Sequence, residues 1–196
     1  YGRHGARLSS PAKRHALEAL PRWSVALPET PVTDMAALFG HPFQRYGLEI
    51  GFGGGEHLLA QAAREPGTGF LGIEPFRRGL ANVAQALEAG ETANIRVHGG
   101  AAQPWLPLLP AASLWGIDVL FPDPWPKARH HKRRLVNTAF CEAAARLLLS
   151  GGCLRLASDD PGYQDQMLRA ARDAGLEWTA ASRDGWLTPF LPEVVT

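Results

Sequence analysis

The chain has 196 residues, 45% of them hydrophobic, which is enough to bury one core, and we predict a single domain. No apolar run of roughly 18 residues occurs, and no charged-then-apolar leader opens the sequence. We therefore expect a cytoplasmic protein and not a membrane protein. Cys141 and Cys153 stand apart in apolar surroundings, which predicts reduced core side chains rather than a disulfide or a metal pair.

The net charge of +1 is unevenly distributed. Residues 127–134 carry +5 and residues 1–22 carry +4, which leaves −8 on the rest of the chain. An acidic body repels a polyanion except at such basic patches. The pattern predicts that a polyanion binds at a defined face, and nucleic acid is the first candidate.

In chain order, residues 1–33 are predicted to form a basic N-terminal arm with one helix, opened by Ser10 and Pro11 and ending near Leu20. Residues 34–196 follow as one α/β domain. Strands are predicted at residues 45–50, 70–74, 94–97, 117–121 and 153–157, and helices at 56–64 and 77–89. A third helix of the domain precedes the last strand, with an inward face of Phe140, Ala144 and Leu147 or Leu148.

Strands that alternate with helices predict a doubly wound, mainly parallel, Rossmann-like sheet. In such folds ligands bind at the carboxyl ends of the strands. Four acids stand at or near predicted strand ends, and we expect their loops to converge there: Glu49, Glu74, Asp123 and Asp159.

A glycine-rich turn follows the first predicted strand. Gly51, Gly53 and Gly55 allow a tight turn and close backbone approach to a ligand, and Glu74 at the end of the second strand is placed for ribose hydroxyls. Glu56 occupies the third glycine position of a dinucleotide fingerprint, which disfavours NAD. The preceding acid suits the cationic methionine end of S-adenosylmethionine, although a tight turn without a ligand remains the alternative.

The segment from Gly116 to Arg134 joins an apolar strand to a carboxylate, an aromatic residue and a basic run. Pro122 and Pro124 restrict the backbone around Asp123, so this acid is expected on a stiff loop. The basic run after it would suit phosphates. A turn followed by a solvated basic helix start is the alternative.

Four segments, in this order, resemble the bacterial tRNA (guanine-N7)-methyltransferase family. They are Leu48 to Gly55, Gly72-Ile73-Glu74, Leu120 to Lys127 with Arg129 to Arg134, and Ala157-Ser158-Asp159 followed by Tyr163. The resemblance implies a class I methyltransferase fold that binds S-adenosylmethionine and methylates the variable-loop guanine of tRNA.

The resemblance also implies roles for individual residues, with Asp123 as the active-site acid. Cofactor contacts would come from Glu49, Gly51, Gly53, Gly55, Glu74 and Asp123. Substrate or RNA contacts would come from Lys127, Arg129, His130, Lys132, Arg133, Arg134 and Asp159.

Two positions depart from the family pattern. Gly100-Ala101 stands where the family usually has Asp-Ala, placed to contact the adenine side of the cofactor. The family's C-terminal substrate segment of Thr, a basic residue, an aromatic and Glu is not found, and Thr196 is expected to be its first residue.

The chemistry fits these residues. Guanine N7 carries a free lone pair, so methyl transfer requires positioning more than a strong base, and Asp123 can stabilise the positive charge that develops. Trp125 is expected either to stack on a base or to fill the core beneath the loop. His130 and His131 are interpreted as phosphate or solvent contacts, and no metal site is predicted.

Three other classes stay open on the sequence alone. A nucleic-acid amino-methyltransferase has a loosely similar Asp-Pro-Pro-aromatic loop, but this chain has a single proline after Asp123 and a basic run. A nucleotide-dependent oxidoreductase is disfavoured by Glu56. An RNA-binding module without catalysis is kept open by Gly100.

Overall fold

The computed structural model describes residues 11–179, which build a five-stranded, fully parallel sheet of order β3-β2-β1-β4-β5 with helices on its faces. The predicted α/β class is confirmed. The strands are β1 Arg45–Ile50, β2 Thr68–Ile73, β3 Ile95–His98, β4 Leu114–Leu120 and β5 Leu148–Ala157. The helices are α1 Pro11–Ala19, α2 Ala36–Phe39, α3 Glu56–Arg64, α4 Arg77–Glu88, α5 Thr138–Leu147 and α6 Pro161–Asp173.

The apolar pattern places one hydrophobic cluster on each face of the sheet. β2 is buried along its whole length because helices cover both of its faces. The predicted inward residues of α3, Leu58 and Ala62, pack in the smaller cluster with Leu80 and Leu87 of α4. The larger cluster holds the inward face of α5, including Leu147, while Leu148 begins β5.

Strand order reverses between β1 and β4, so the loops after these two strands diverge and open a crevice at the carboxyl edge. The glycine turn follows β1, and the Asp123 loop follows β4. The fold therefore brings together the two motifs that the sequence keeps roughly 70 residues apart.

Several features differ from the sequence prediction. Helices α2 and α6 were not predicted, and β5 begins five residues before the predicted strand, at Leu148 instead of Cys153. Both cysteines are free, but only Cys141 is buried, so the prediction of a core position is wrong for Cys153. Cys153 is exposed because it lies on β5, at the edge of the sheet.

The predicted N-terminal arm is docked on the body along its described part. Helix α1 packs against α4, with Ala16 buried, and Val25 N donates to Val97 O at 2.9 Å beside β3. Residues 11–25 therefore extend the folded unit. The expectation for Thr196 lies outside the described residues. No helix within residues 11–179 is both long enough and apolar enough to cross a membrane.

Candidate active site

The glycine turn after β1 exposes its backbone at the carboxyl edge of the sheet. Gly51, Gly53 and Gly55 all have positive φ, at 73°, 53° and 91°, a region that side chains disfavour. A Cβ placed on Gly51 or Gly53 would meet no heavy atom within 4 Å, so open space lies beside both residues. A Cβ on Gly55 would lie 2.4 Å from Val83 Cγ2. The first two glycines leave room for a ligand, and the third allows α4 to approach.

Glu74 lies directly after β2 and ties the turn to this strand. Its Oε2 accepts from Gly53 N at 2.9 Å, and its Oε1 accepts from Phe76 N at 2.8 Å. Burial raises the pKa of the Glu74 carboxyl, these two N–H groups oppose the shift, and the charge of Asp123 raises the pKa further. The predicted cofactor acid thus also shapes the turn.

Helix α4 approaches the turn through a glycine. A Cβ on Gly79 would lie only 1.9 Å from Gly53 O, so any larger residue there would displace the turn. The sequence could have indicated this close approach, because Gly79 lies in the first turn of a predicted amphipathic helix, where glycine is unfavourable.

The Asp123 loop is strained on both sides of the acid. Phe121 and Trp125 adopt positive φ values of 51° and 44°, which are rare for aromatic residues. Pro122 and Pro124 separate them from Asp123, whose side chain is exposed. The stiffness expected from the two prolines stays a prediction, and the strain was not predicted from the sequence. Such strain persists only where the surroundings hold the loop in place.

Arg134 anchors the Asp123 loop to the rest of the protein. The predicted RNA contact of Arg134 is not what the structure shows: the residue is 4% exposed, and its guanidinium points into the protein. Its Nε donates to Pro124 O at 2.7 Å, and its Nη1 donates to Gly162 O at 3.2 Å and to Gln166 Oε1 at 3.0 Å. The guanidinium also lies over the Tyr163 ring, 4.8 Å from its centroid. Arg134 therefore fastens the Asp123 loop to α6.

The other members of the basic run form an exposed surface on a 3₁₀ helix, Ala128–Arg133. We call Lys127, Arg129, Lys132 and Arg133 the basic surface, since all four are exposed. The Arg133 guanidinium lies over the Trp125 ring, 4.8 Å from its centroid, and the His130 ring stands perpendicular to it at a centroid distance of 5.8 Å. The face of Trp125 is thus covered by a cation rather than buried in the core.

Asp159 lies two residues after the end of β5 and is exposed. Its neighbour Asp160 caps α6 by accepting from Tyr163 N at 2.7 Å. Asp159 thus faces solvent at the same edge of the sheet as Asp123, whereas Asp160 stabilises the start of a helix.

Glu49 has a different position from the other acids. We expected its loop to join those of Glu74 and Asp123, but Glu49 lies within β1, 2% exposed. Its Oε2 lies 3.0 Å from His57 Nδ1, and Gln61 Nε2 donates to Asp118 Oδ2 at 2.9 Å. Burial raises the pKa of the Glu49 carboxyl, although the hydrogen bond and charge of His57 oppose this. Arg155 completes the group, with its Nε 2.5 Å from Asp118 Oδ1.

This polar cluster lies beneath the glycine turn and joins β1, α3, β4 and β5. Donor atoms of Glu49, His57 and Asp118 lie within 4.8 Å of one another, a spacing that a metal ion could bridge. Gln61 and Arg155 already engage these groups, which makes the cluster a hydrogen-bonded support. The sequence could have indicated this cluster, because His57 and Gln61 stand four residues apart and therefore lie on one face of α3.

Comparisons with known proteins identify the family of this chain. Residues 44–193 match a family described as "Putative methyltransferase". The chain is 44% identical to the tRNA (guanine-N(7)-)-methyltransferase of Rhizobium meliloti (strain 1021), over 96% of this chain and 82% of that protein. The corresponding enzyme of Azorhizobium caulinodans is 42% identical, over 97% of this chain and 83% of that protein.

Solved structures show the same fold at low sequence identity. The 16S rRNA methyltransferase KamB matches with a TM-score of 0.52 at 13% identity, covering 76% of each chain. The aminoglycoside resistance methyltransferase NpmB1 matches with a TM-score of 0.51 at 19% identity, over 73% of this chain and 82% of that one. These likenesses confirm the methyltransferase fold. Because the two relatives above match nearly all of this chain at more than 40% identity, the chain belongs to the tRNA (guanine-N(7)-)-methyltransferase family.

Proposed function

We propose that this protein transfers a methyl group from S-adenosylmethionine to N7 of the variable-loop guanine of tRNA. The observation that carries the proposal is the position of Asp123. It is exposed on a strained, fastened loop, across a crevice from the glycine turn and beside the basic surface. A cytoplasmic location is part of the proposal, because tRNA is the substrate.

The crevice fits S-adenosylmethionine. Open space lies beside Gly51 and Gly53, and their backbone can approach a ligand closely. Glu74 accepts one backbone N–H on each carboxylate oxygen, and further lone pairs remain for ribose hydroxyls. When bound, S-adenosylmethionine supplies an electrophilic methyl carbon on a sulfonium. Glu49 would act from beneath, by holding α3 through its contact with His57.

Asp123 would orient the guanine and compensate its new charge. Guanine N7 needs no deprotonation before it attacks a methyl carbon, so a strong base is unnecessary, and an exposed carboxylate suffices. Its oxygens can accept hydrogen bonds from the donor edge of the base. As positive charge develops on the purine, a carboxylate held in place beforehand stabilises the transition state more than the ground state.

The basic surface would bind tRNA phosphates beside this acid. Four exposed cations occupy seven consecutive residues, 127–133, next to the Asp123 loop. Phosphate contacts position a nucleic acid without reading its sequence. We place Asp159 at the substrate side of the same edge, because it is exposed after β5. Trp125 would become available for base stacking when phosphates draw Arg133 away from its ring.

The test is methyl transfer from labelled S-adenosylmethionine to an unmodified tRNA transcript. A matched transcript with 7-deazaguanine at the variable-loop position lacks the N7 lone pair and should accept no label. An amino-methyltransferase would label both transcripts equally, and a non-catalytic RNA-binding protein would bind both and label neither. Either result would contradict the proposal.

A further inference from the structure

His98 ends β3 with one ring nitrogen engaged and the other available. Its Nδ1 lies 3.0 Å from Val25 O, and because a carbonyl only accepts, Nδ1 must carry the hydrogen. In the neutral ring, Nε2 is then a lone-pair acceptor. No residue between 11 and 179 forms a hydrogen bond with this Nε2. The ring also packs edge-on against buried Trp105 at 5.2 Å, so it is held on two sides.

The sheet order places His98 beside Glu74, at the carboxyl edge of the sheet. The strands lie side by side in the order β3-β2-β1-β4. At their carboxyl ends this order places His98 first, then Glu74, then the glycine turn and then Asp123. If the methyl group lies near Asp123 and the ribose near Glu74, the base extends one strand further, toward β3. Glu74 N donates to His98 O at 3.0 Å, so the two residues are direct neighbours at this edge.

Gly100 makes room for this ring. A Cβ on Gly100 would lie 2.6 Å from His98 Nε2, closer than real Cβ contacts allow. A side chain at position 100 and the ring of His98 therefore compete for one space. Position 100 carries no side chain, and the histidine acceptor occupies the space beside it.

We propose that His98 Nε2 accepts a hydrogen bond from the exocyclic amino group of the cofactor's adenine, and that Gly100 is small because His98 needs its space. The inference rests on the proposed function for the identity of the cofactor. His98 would be a binding residue at the adenine end, and the docked N-terminal segment would fix its tautomer through Val25.

The test compares two product analogues by titration calorimetry: S-adenosylhomocysteine, and S-inosylhomocysteine, in which an oxygen replaces the amino group. Wild type should prefer the adenosyl ligand by about tenfold, the effect of one buried hydrogen bond. His98→Ala should bind the adenosyl ligand about tenfold more weakly and lose the preference. Restoration of the preference in His98→Ala with Gly100→Asp would support the shared space directly.

A purely structural role for His98 would weaken both ligands equally and leave their ratio unchanged, which would overturn the proposal. His98→Phe keeps a ring against Trp105 without the acceptor, so it tests the same hydrogen bond if the alanine variant does not fold. Exposed His41 provides the control, since His41→Ala should keep the full preference. Binding of neither ligand to wild type would overturn the proposed function, and the His98 assignment with it.

Discussion

Arg134 Nε donates to Pro124 O at 2.7 Å, so a cation within the basic run holds the backbone directly after Asp123. The same guanidinium reaches α6 through Gly162 and Gln166. Two neighbouring arginines therefore have different roles. Arg133 is exposed and lies over Trp125, whereas Arg134 is buried and anchors the Asp123 loop.

Replacing Arg134 should separate these roles. Arg134→Ala leaves buried acceptors without partners, at about 1–3 kcal/mol each, so the free energy of unfolding in urea should fall. The rate of methyl transfer should fall with it, because the Asp123 loop loosens. Arg134→Lys, which keeps the charge but cannot make several hydrogen bonds in a plane, should recover only part of both. If Arg134→Ala changed only tRNA affinity, the fastening role would be wrong.

Replacing Asp123 should affect chemistry rather than folding. We expect Asp123→Asn to fold with near wild-type stability because the side chain is exposed. The single-turnover rate of methyl transfer should fall about 100- to 1000-fold, as when a preorganised electrostatic group is removed. S-adenosylmethionine should still bind, at least weakly, when its affinity is measured by calorimetry. A rate within about threefold of wild type corresponds to a change of roughly RT in the activation free energy, and it would exclude Asp123 from the mechanism.

Replacing the basic surface should change the salt dependence of tRNA binding. Arg129→Ala with Lys132→Ala should weaken binding and make the slope of log affinity against log salt shallower by about one unit for each lost phosphate contact. S-adenosylmethionine affinity should stay constant. The control is Arg64→Ala, which removes an exposed cation at the opposite edge of the sheet and should leave the slope unchanged. A wild-type slope in the double variant as well would show that Arg129 and Lys132 do not contact phosphates.

Glu74 should make stability depend on pH. Its folded pKa lies above the usual 4.5, so between 4.5 and the raised value the folded state keeps a proton that the unfolded state has released. The free energy of unfolding should therefore fall as pH rises through this window. Glu74→Gln should flatten the slope, by up to about 1.4 kcal/mol per pH unit. Urea denaturation at a series of pH values above 4.5 measures this slope, and identical slopes in wild type and Glu74→Gln would contradict the shift.

Gly79 should tolerate no side chain. Gly79→Ala places a Cβ against Gly53 O, so the turn must move, and S-adenosylmethionine affinity should drop at least tenfold by calorimetry, since overpacking costs about 1–3 kcal/mol. Gly162→Ala in α6 is the control, because its Cβ would make only an ordinary 3.4 Å contact with Asp160 Oδ1. That variant should bind like wild type. Unchanged affinity in Gly79→Ala would show that the turn yields without loss.

The local sequence alone determined the parallel α/β class, the glycine turn and the proline-flanked Asp123 loop. These features depend on short-range physics: apolar periodicity selects strands and helices, glycine permits positive φ, and proline restricts its neighbours. The order of the motifs also led to the family, which the relatives confirm. The cofactor and RNA contacts of individual residues stay predictions.

Only the tertiary structure decided which charged residues face solvent. Arg133 and Arg134 are adjacent residues of the same type, so the sequence does not distinguish them. Arg133 covers Trp125, whereas Arg134 is buried against α6, a helix that was not predicted from the sequence. Glu49 likewise lies in a buried cluster instead of joining the other acids in the crevice, because the strand register sets it opposite Asp118. Burial and hydrogen-bond partners depend on elements distant in the chain, so a local pattern cannot assign them.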